Sequence, residues 1–442
     1  MTSHRFTVAS LATILTIAAF SMSARPAQSQ TWRDKGILMS AYRPPQLAAE
    51  VKVAHDAGVP DLWKKYGRLI PSGDNALTYF ARFDVPGNAP SSNETESYAL
   101  IEDPTNSGSA WQSAERFVVT RKSLLDLAHH GARTQTLSPL LHRGQDPLAI
   151  VFPELGGCRR SAKIITVESI SLARGGRFLL AVQNQRDAFR CADLASKDVG
   201  LMAYLVSCYS YQCALDGLLD ILRLSRGDPH VCFTIRAIIA SDYHDHFVSE
   251  GLKSDCAQSI AQVEYWRDGG PKAFADMSNG VVDAKLASRP DLYNAIVDMN
   301  GVYLVRQELS AIDVADRPYS EAFRILSTQD TRHAQYHGVD GTYAHVMLSV
   351  PSKTIGVHAR IEAAAAVTRA ACAVFLYKSK HGRYPSTLAE AAPTAIDPFD
   401  GKPLGYRREA NGFVVYSVGP TGQYNGGAFD TGKQHEEAFR YP

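Results

Sequence analysis

The sequence predicts a mainly α protein in which a helical hairpin domain of tetratricopeptide-like style is followed by a small α+β module with an antiparallel sheet. Three observations carry that prediction. Hydrophobic residues make up 45% of the 442 residues, enough for sizeable cores. Between roughly residues 160 and 350, apolar residues recur at spacings of three and four. Over the last ninety residues that periodicity gives way to one long helix, a short one and two alternating segments around turn residues.

The extreme N-terminus, residues 1–29, reads as a secretory signal peptide. His4 and Arg5 precede fifteen mostly apolar residues, Phe6 to Phe20, and then Ser, Ala and Pro follow. Ala27-Gln28-Ser29 fits a small-x-small cleavage site and places the mature start near Gln30, with Ser21-Met22-Ser23 as a competing site. A retained anchor is the alternative, although the run falls short of the roughly 20 residues a span requires, and no membrane span is expected once the signal is removed. Residues 30–157 are interrupted by Pro44-Pro45, Pro60, Pro71 and Pro86 and by a polar stretch, so short helices, long loops and an insertion near 86–110 are expected.

Residues 158–350 form the expected helical domain. "DAFRCADLASKDVGLMAYLVSCY", "YQCALDGLLDILRLSR" and "HVCFTIRAIIASDYHDHFVSEGL" each carry helical periodicity, and Gly227-Asp228-Pro229 separates the last two as a turn between antiparallel helices would. No fixed repeat length emerges. In residues 351–442, Ile361, Ala365, Thr368, Cys372 and Phe375 form a small, apolar stripe on a helix that Gly382 stops. After Tyr384-Pro385, Thr387 and Glu390 have capping-box spacing and open a short helix closed by Pro393. Leu404 to Arg408 and Phe413 to Val418 then read as a hairpin around Asn411-Gly412. Gly382 and Tyr384-Pro385 are expected to reverse the chain so that Leu388 and the second strand return onto Phe375, with the long helix docked on the helical domain.

Charge narrows the partners. With 46 basic and 45 acidic residues the formal charge is +1, which leaves no electrostatic footprint for nucleic acid and no polybasic face for anionic lipid. Seven cysteines, an odd count without a CxxC, read mainly as small buried hydrophobes, and one bridge among Cys158, Cys191, Cys208 and Cys213 stays open.

In the tail, "FLYKSKHGRYPSTLAEA", "DPFDGKPLGYRR" and "FVVYSVGPTGQYNGG" occur in an order and spacing that resembles the globular part of type II secretion pseudopilins, the major pseudopilin most of all, over about residues 360–430. The whole chain also resembles large uncharacterised exported bacterial proteins in which a helical domain, with "ALDGLLDILRLSR" in a matching place, precedes such a tail. The resemblance implies a spine helix packed on a small sheet and a periplasmic or secreted bacterial location; a pilus-type helix has a long, strongly apolar N-terminal half, whereas this one is Ala-rich. The resemblance also implies a calcium site after the Tyr-Ser strand, built here from the Val418 carbonyl, Asn425 and Asp430. Thr421 stands where the family has a carboxylate, so a loop held by its own backbone is the expected outcome and no cofactor is required. A prepilin has Gly before its Phe-Thr-Leu-type start and Glu at the fifth mature position, whereas "RFTVAS" has Arg5 and Ser10, which argues against filament processing. In a chain of this bacterial cast the sequon Asn93-Glu94-Thr95 is incidental.

"SDYHDHF", Ser241 to Phe247, is the most reactive-looking cluster. On a helix Asp242 and His246 would be four apart and could share a metal, with His129, His130 or His142 as a third ligand and His244 and Asp245 on other faces. Polar residues on the outside of a hairpin account for the cluster equally simply. No HExxH, Gly-x-Ser-x-Gly, P-loop or strand-preceded GxGxxG occurs. Three function classes result. The first is a non-catalytic exported envelope protein that binds an envelope or secreted partner as a scaffold. The others are a metal-dependent hydrolase centred on Asp242 and His246, and an accessory of a type II secretion-like system.

Overall fold

The computed structural model describes residues 46–67, 73, 75–84, 109–137, 146–147, 153–244, 246–277, 289–336, 347–422 and 437–441. The expected signal peptide and nearly all of the polar insertion lie outside them. Five short helices come first: α1 (Gln46–Asp56), α2 (Leu62–Tyr66), α3 (Leu77–Phe80), α4 (Ser109–Thr120) and α5 (Lys122–Ala132). Longer ones follow: α6 (Pro153–Arg174), α7 (Phe178–Ser196), α8 (Gly200–Leu224), α9 (Pro229–Asp242), α10 (Val248–Met277), α11 (Pro290–Ala315), α12 (Tyr319–Gln335) and α13 (Pro351–His381). A three-stranded antiparallel sheet in the order β1-β2-β3 closes the described chain, with β1 Gly405–Arg408, β2 Phe413–Tyr416 and β3 Ala438–Tyr441.

Helices α6, α7 and α8 pack on one another, and α3, α4 and α5 lie against α6. The close approach of α6, α7 and α8 is enforced at Gly217, where a Cβ would meet the Gln185 amide at 1.7 Å and the Thr166 methyl at 2.8 Å. Helices α10 and α11 form a second layer with α1, joined to the first through α8. Helix α10 is kinked where Gly270 takes φ 66° before Pro271, because proline removes a helical N–H and crowds the preceding turn.

Local signals account for several of the boundaries. Gly227 (φ 71°) turns the chain between α8 and α9, and Asp228 caps α9 by accepting from His230 N and Val231 N at 2.8 and 3.2 Å, with Pro229 at the first helical position. Helix α13 stops at Gly382 (φ 69°), whose N–H bonds Lys378 O at 2.8 Å. Thr387 and Glu390 do form a capping box, although what they open is a single 3-10 turn, Leu388–Glu390. The hairpin pairs Gly405 with Tyr416 and Arg408 with Phe413.

Four expectations need correction. The first periodic segment is two helices, because α7 ends at Ser196 and α8 begins at Gly200 (φ 81°), and α8 then runs on through the second segment. The third segment is also broken: α9 ends at Asp242 and α10 begins at Val248. The sheet has a third strand, β3, beside β2. All seven cysteines are free and buried, so the bridge left open among Cys158, Cys191, Cys208 and Cys213 is absent.

Helix α13 is the link between helices and sheet. Its expected stripe is buried, and so are Ala364, Val367, Ala371 and Val374 on other faces, because α8, α9, α12 and the sheet all pack around it. Phe375 meets Phe413, Phe439 and Tyr441 edge to face at centroid distances of 5.1, 6.1 and 4.9 Å. On its other side lies the α8–α9 turn, where a Cβ on Gly227 would come within 2.1 Å of the Phe375 ring. Glu437, just before β3, receives Gln212 of α8 at 3.5 Å. One hydrophobic core therefore runs from Ala76 to Phe439.

Replacing Phe375 with Ala should cost about 3 to 5 kcal/mol and loosen sheet and helices together. Gly227→Ala should be comparably damaging, since it adds a side chain at positive φ into the same ring. Urea melts of both variants check this. A parent-like midpoint for Phe375→Ala would mean that the tail does not depend on this contact.

Candidate functional site

Helix α7 carries its polar residues on two adjoining faces, and each meets an element distant in sequence. Arg186 binds Asp242 through both oxygens, at 2.9 Å from Nε and 3.1 Å from Nη2. Two turns further on, Asp193 is the hub of a polar cluster. Tyr211 O–H of α8 donates to its Oδ1 at 2.5 Å, His244 Nδ1 lies 2.8 Å from Oδ2, and His246 Nε2 lies 3.1 Å from Oδ1. Ser196 Oγ stands 3.1 Å from the same His246 Nε2. Burial alone would raise the Asp193 pKa, but the bonds from His246, Tyr211 and His244 outweigh it and hold the carboxyl down at about 2. Tyr211 moves the opposite way, raised by burial and by the Asp193 charge.

The helical spacing expected of Asp242 and His246 is therefore not realised. Asp242 is the last residue of α9, Tyr243 is extended (ψ 109°), and Asp242 turns to Arg186 while His246 turns to Asp193. His244 and His246 both reach the Asp193 carboxylate. Asp245 and His142 lie outside the described residues. His130 is elsewhere, bonding Asp126 O at 2.6 Å and stacking on Tyr79.

His129 sits in a second cluster, between Asp187 Oδ2 (2.7 Å from Nδ1) and Glu168 Oε2 (2.9 Å from Nε2). Arg133 and Arg190 also bind Asp187, and Asn184 binds Glu168. Burial disfavours the charged ring, yet the bonds to Asp187 and Glu168 prevail and raise its pKa to about 9. The result is a charged clamp joining α5, α6 and α7.

Chemically, these clusters are engaged with themselves. A Ser–His–Asp relay needs the two partners on different ring nitrogens, whereas Ser196 and Asp193 both address Nε2 of His246. Among the described residues, no group of three or more His, Cys, Asp or Glu side chains is arranged to hold a metal ion. In the tail, Asp397, which is 1% exposed, accepts from Ser417 Oγ at 2.9 Å, Val418 N at 2.7 Å and Phe399 N at 3.0 Å, and so ties the Asp-Pro-Phe segment to the end of β2. Thr421 Oγ1 donates to the Val418 carbonyl at 3.4 Å, so the expected calcium ligand is already a hydrogen-bond acceptor; Asn425 and Asp430 lie outside the described residues. Asp193 and Asp187 escaped the sequence reading, although Arg186, Arg190 and Asp193 at steps of four and three were a legible signal of a polar helix face.

No protein-family model, curated protein or solved structure matches the chain.

The His129 clamp gives a pH signature. Its pKa rises from about 6.5 to about 9 on folding, so its stabilisation is complete below about pH 6.5 and is lost as pH climbs through about 9. Glu154, buried and raised to about 7 from 4.5 by desolvation, acts with the same sign between those values. Denaturant midpoints measured from pH 6 to 10 should fall, and His129→Gln should flatten the upper part of the curve, by an amount on the order of 3 kcal/mol for a shift of this size. An unchanged slope in the variant would remove His129 from the account.

Proposed function

We propose that the chain is an exported bacterial envelope protein, periplasmic or secreted, which acts without catalysis as a scaffold for another envelope or secreted protein through a tetratricopeptide-like helical array and a pseudopilin-like tail. The observation that carries the reading is the enclosure of α13. A pilus-type helix must offer a long apolar face to neighbouring subunits, whereas the middle of α13 is covered by α8, α9, α12 and the sheet. The engaged state of the Asp193 and His129 clusters supports it further, because their donors and acceptors hold helices together. An accessory role in a type II secretion-like system is the second reading, supported by the order of the tail motifs and by Asp397, which joins two of them. The metal-dependent hydrolase reading loses its expected pair, since Asp242 is bound by Arg186.

The test is site-specific. A photo-crosslinker at Phe233, 60% exposed on α9, should trap one discrete envelope protein in intact cells, while the same group at buried Phe375 should trap none. Intact mass of the chain from that fraction should give a start near Gln30. A chain still beginning at Met1 in the inner membrane, or no adduct from Phe233 or the equally exposed Phe247, would sink the reading.

Calcium is expected to contribute little, because Thr421 offers the loop no carboxylate. Melts with and without a chelator should share a midpoint. A stabilisation of roughly 2.7 kcal/mol at a hundredfold excess over the dissociation constant would instead reinstate the site.

A further inference from the structure

Away from both clusters, three helices bring carboxylates to one small cavity. Asp255 comes from α10, Glu308 from α11 and Asp330 from α12; Ser349, from the segment before α13, and the Gln307, Gln329 and His333 side chains share the polar wall. The cavity offers about 30 Å³, more than the roughly 10–15 Å³ that one water needs, and Leu252 and Leu348 form an apolar part of its lining.

Glu308 is the residue that calls for a ligand. It is 6% exposed; its Oε1 accepts from Ser259 Oγ at 2.7 Å and the Cys256 thiol lies beside the carboxyl, while its Oε2 is buried without a hydrogen bond of ordinary geometry. A buried carboxylate oxygen left unpaired costs more than most hydrogen bonds return, so the site must take up a proton or a cation. Burial raises all three carboxyls, Glu308 to about 8 with help from the Asp255 charge and Asp255 to about 6, so all gain from a positive guest.

The guest's chemistry follows from the walls. A calcium ion draws six to eight oxygens to 2.3–2.6 Å, yet no group of three or more ligating side chains among the described residues has metal-holding geometry. An ammonium is satisfied by acceptors nearer 2.8 Å and brings three N–H donors of its own. It is also the size of one water, and an alkyl stem behind it would meet Leu252 and Leu348. We propose that the cavity between α10, α11 and α12 binds a primary alkylammonium group, with Asp255 and Glu308 as the main acceptors and Asp330 at the rim. This inference stands independently of the scaffold reading.

Thermal melts and calorimetry on the full chain at pH 7.5 test it with n-butylammonium, 1,4-diaminobutane, a short lysine-containing peptide, tetramethylammonium and calcium. The primary amines should raise the midpoint saturably, and tetramethylammonium, which has no N–H, should not. A response to the free amines alone identifies a small-molecule amine, and a response to the peptide as well identifies a protein lysine; either supports the site. Glu308→Gln keeps the shape and the Ser259 bond, so it should fold with a midpoint at least equal to the parent and bind the amines tenfold or more weakly. Asp255→Asn should weaken binding likewise and serves if the first variant does not fold. No response to any primary amine, an equal response to tetramethylammonium, a larger one to calcium, or undiminished binding in both variants would overturn the proposal.

Discussion

The contact of Phe375 with the backbone of Gly227 is the constraint on which the rest of the arrangement depends. The ring fills the space a side chain at residue 227 would occupy, so the turn between α8 and α9 and the C-terminal sheet are packed against a single aromatic group. Gly227 answers two demands at once, a positive φ and the absence of a Cβ. Phe413, Phe439 and Tyr441 then stack their edges and faces around the same ring, which explains why three strands of four residues, too short to be stable alone, form a sheet here.

Helix α7 organises the polar side of the molecule in a comparable way. Arg186, Asp187, Arg190 and Asp193 span two turns and reach α9, α5 and the link into α10. Burial would ordinarily favour the neutral forms of these acids. The bonds to Asp187 and Asp193 reverse that preference and keep both ionised. Asp198 and Glu154 illustrate the opposite case. Buried and without comparable cations, both are pushed upward, Asp198 first by desolvation and then by the Glu154 charge. Whether a buried carboxyl is charged is thus decided by which helix face it meets.

How far the sequence was legible follows the range of the interactions. Turns and stops were readable where one residue type satisfies a local requirement: Gly227-Asp228-Pro229, the left-handed Gly382, and the reciprocal bonds of Thr387 and Glu390. The breaks at 197–199 and 243–247 were not, because apolar spacing continues across them, and the last residue of α9 is held by Arg186, 56 positions away. The third strand was missed for the same reason: Ala438–Tyr441 is too short to signal itself and is defined by pairing with β2. At the candidate site, His246 was recognised as polar and reactive, but its partner proved to be Asp193, and a separation of 53 residues leaves no trace in local spacing.

The composition of α13 follows from its position. Helices pack 8 to 10 Å apart according to the side chains between them, and a helix enclosed on several sides at once must be slim on all of them. Residues 363–366 are alanines, and 370, 371 and 373 are alanines as well, with Ile361, Cys372, Val374 and Phe375 as the larger anchors. A leucine-rich helix, suited to a fibre, would force α8, α9 and α12 apart and withdraw Phe375 from the Gly227 turn. The alanine run is therefore what permits the tail to close on the helical layers, and it is why Arg369, the one exposed residue between Ile361 and Phe375, marks the only side on which this stretch still meets solvent.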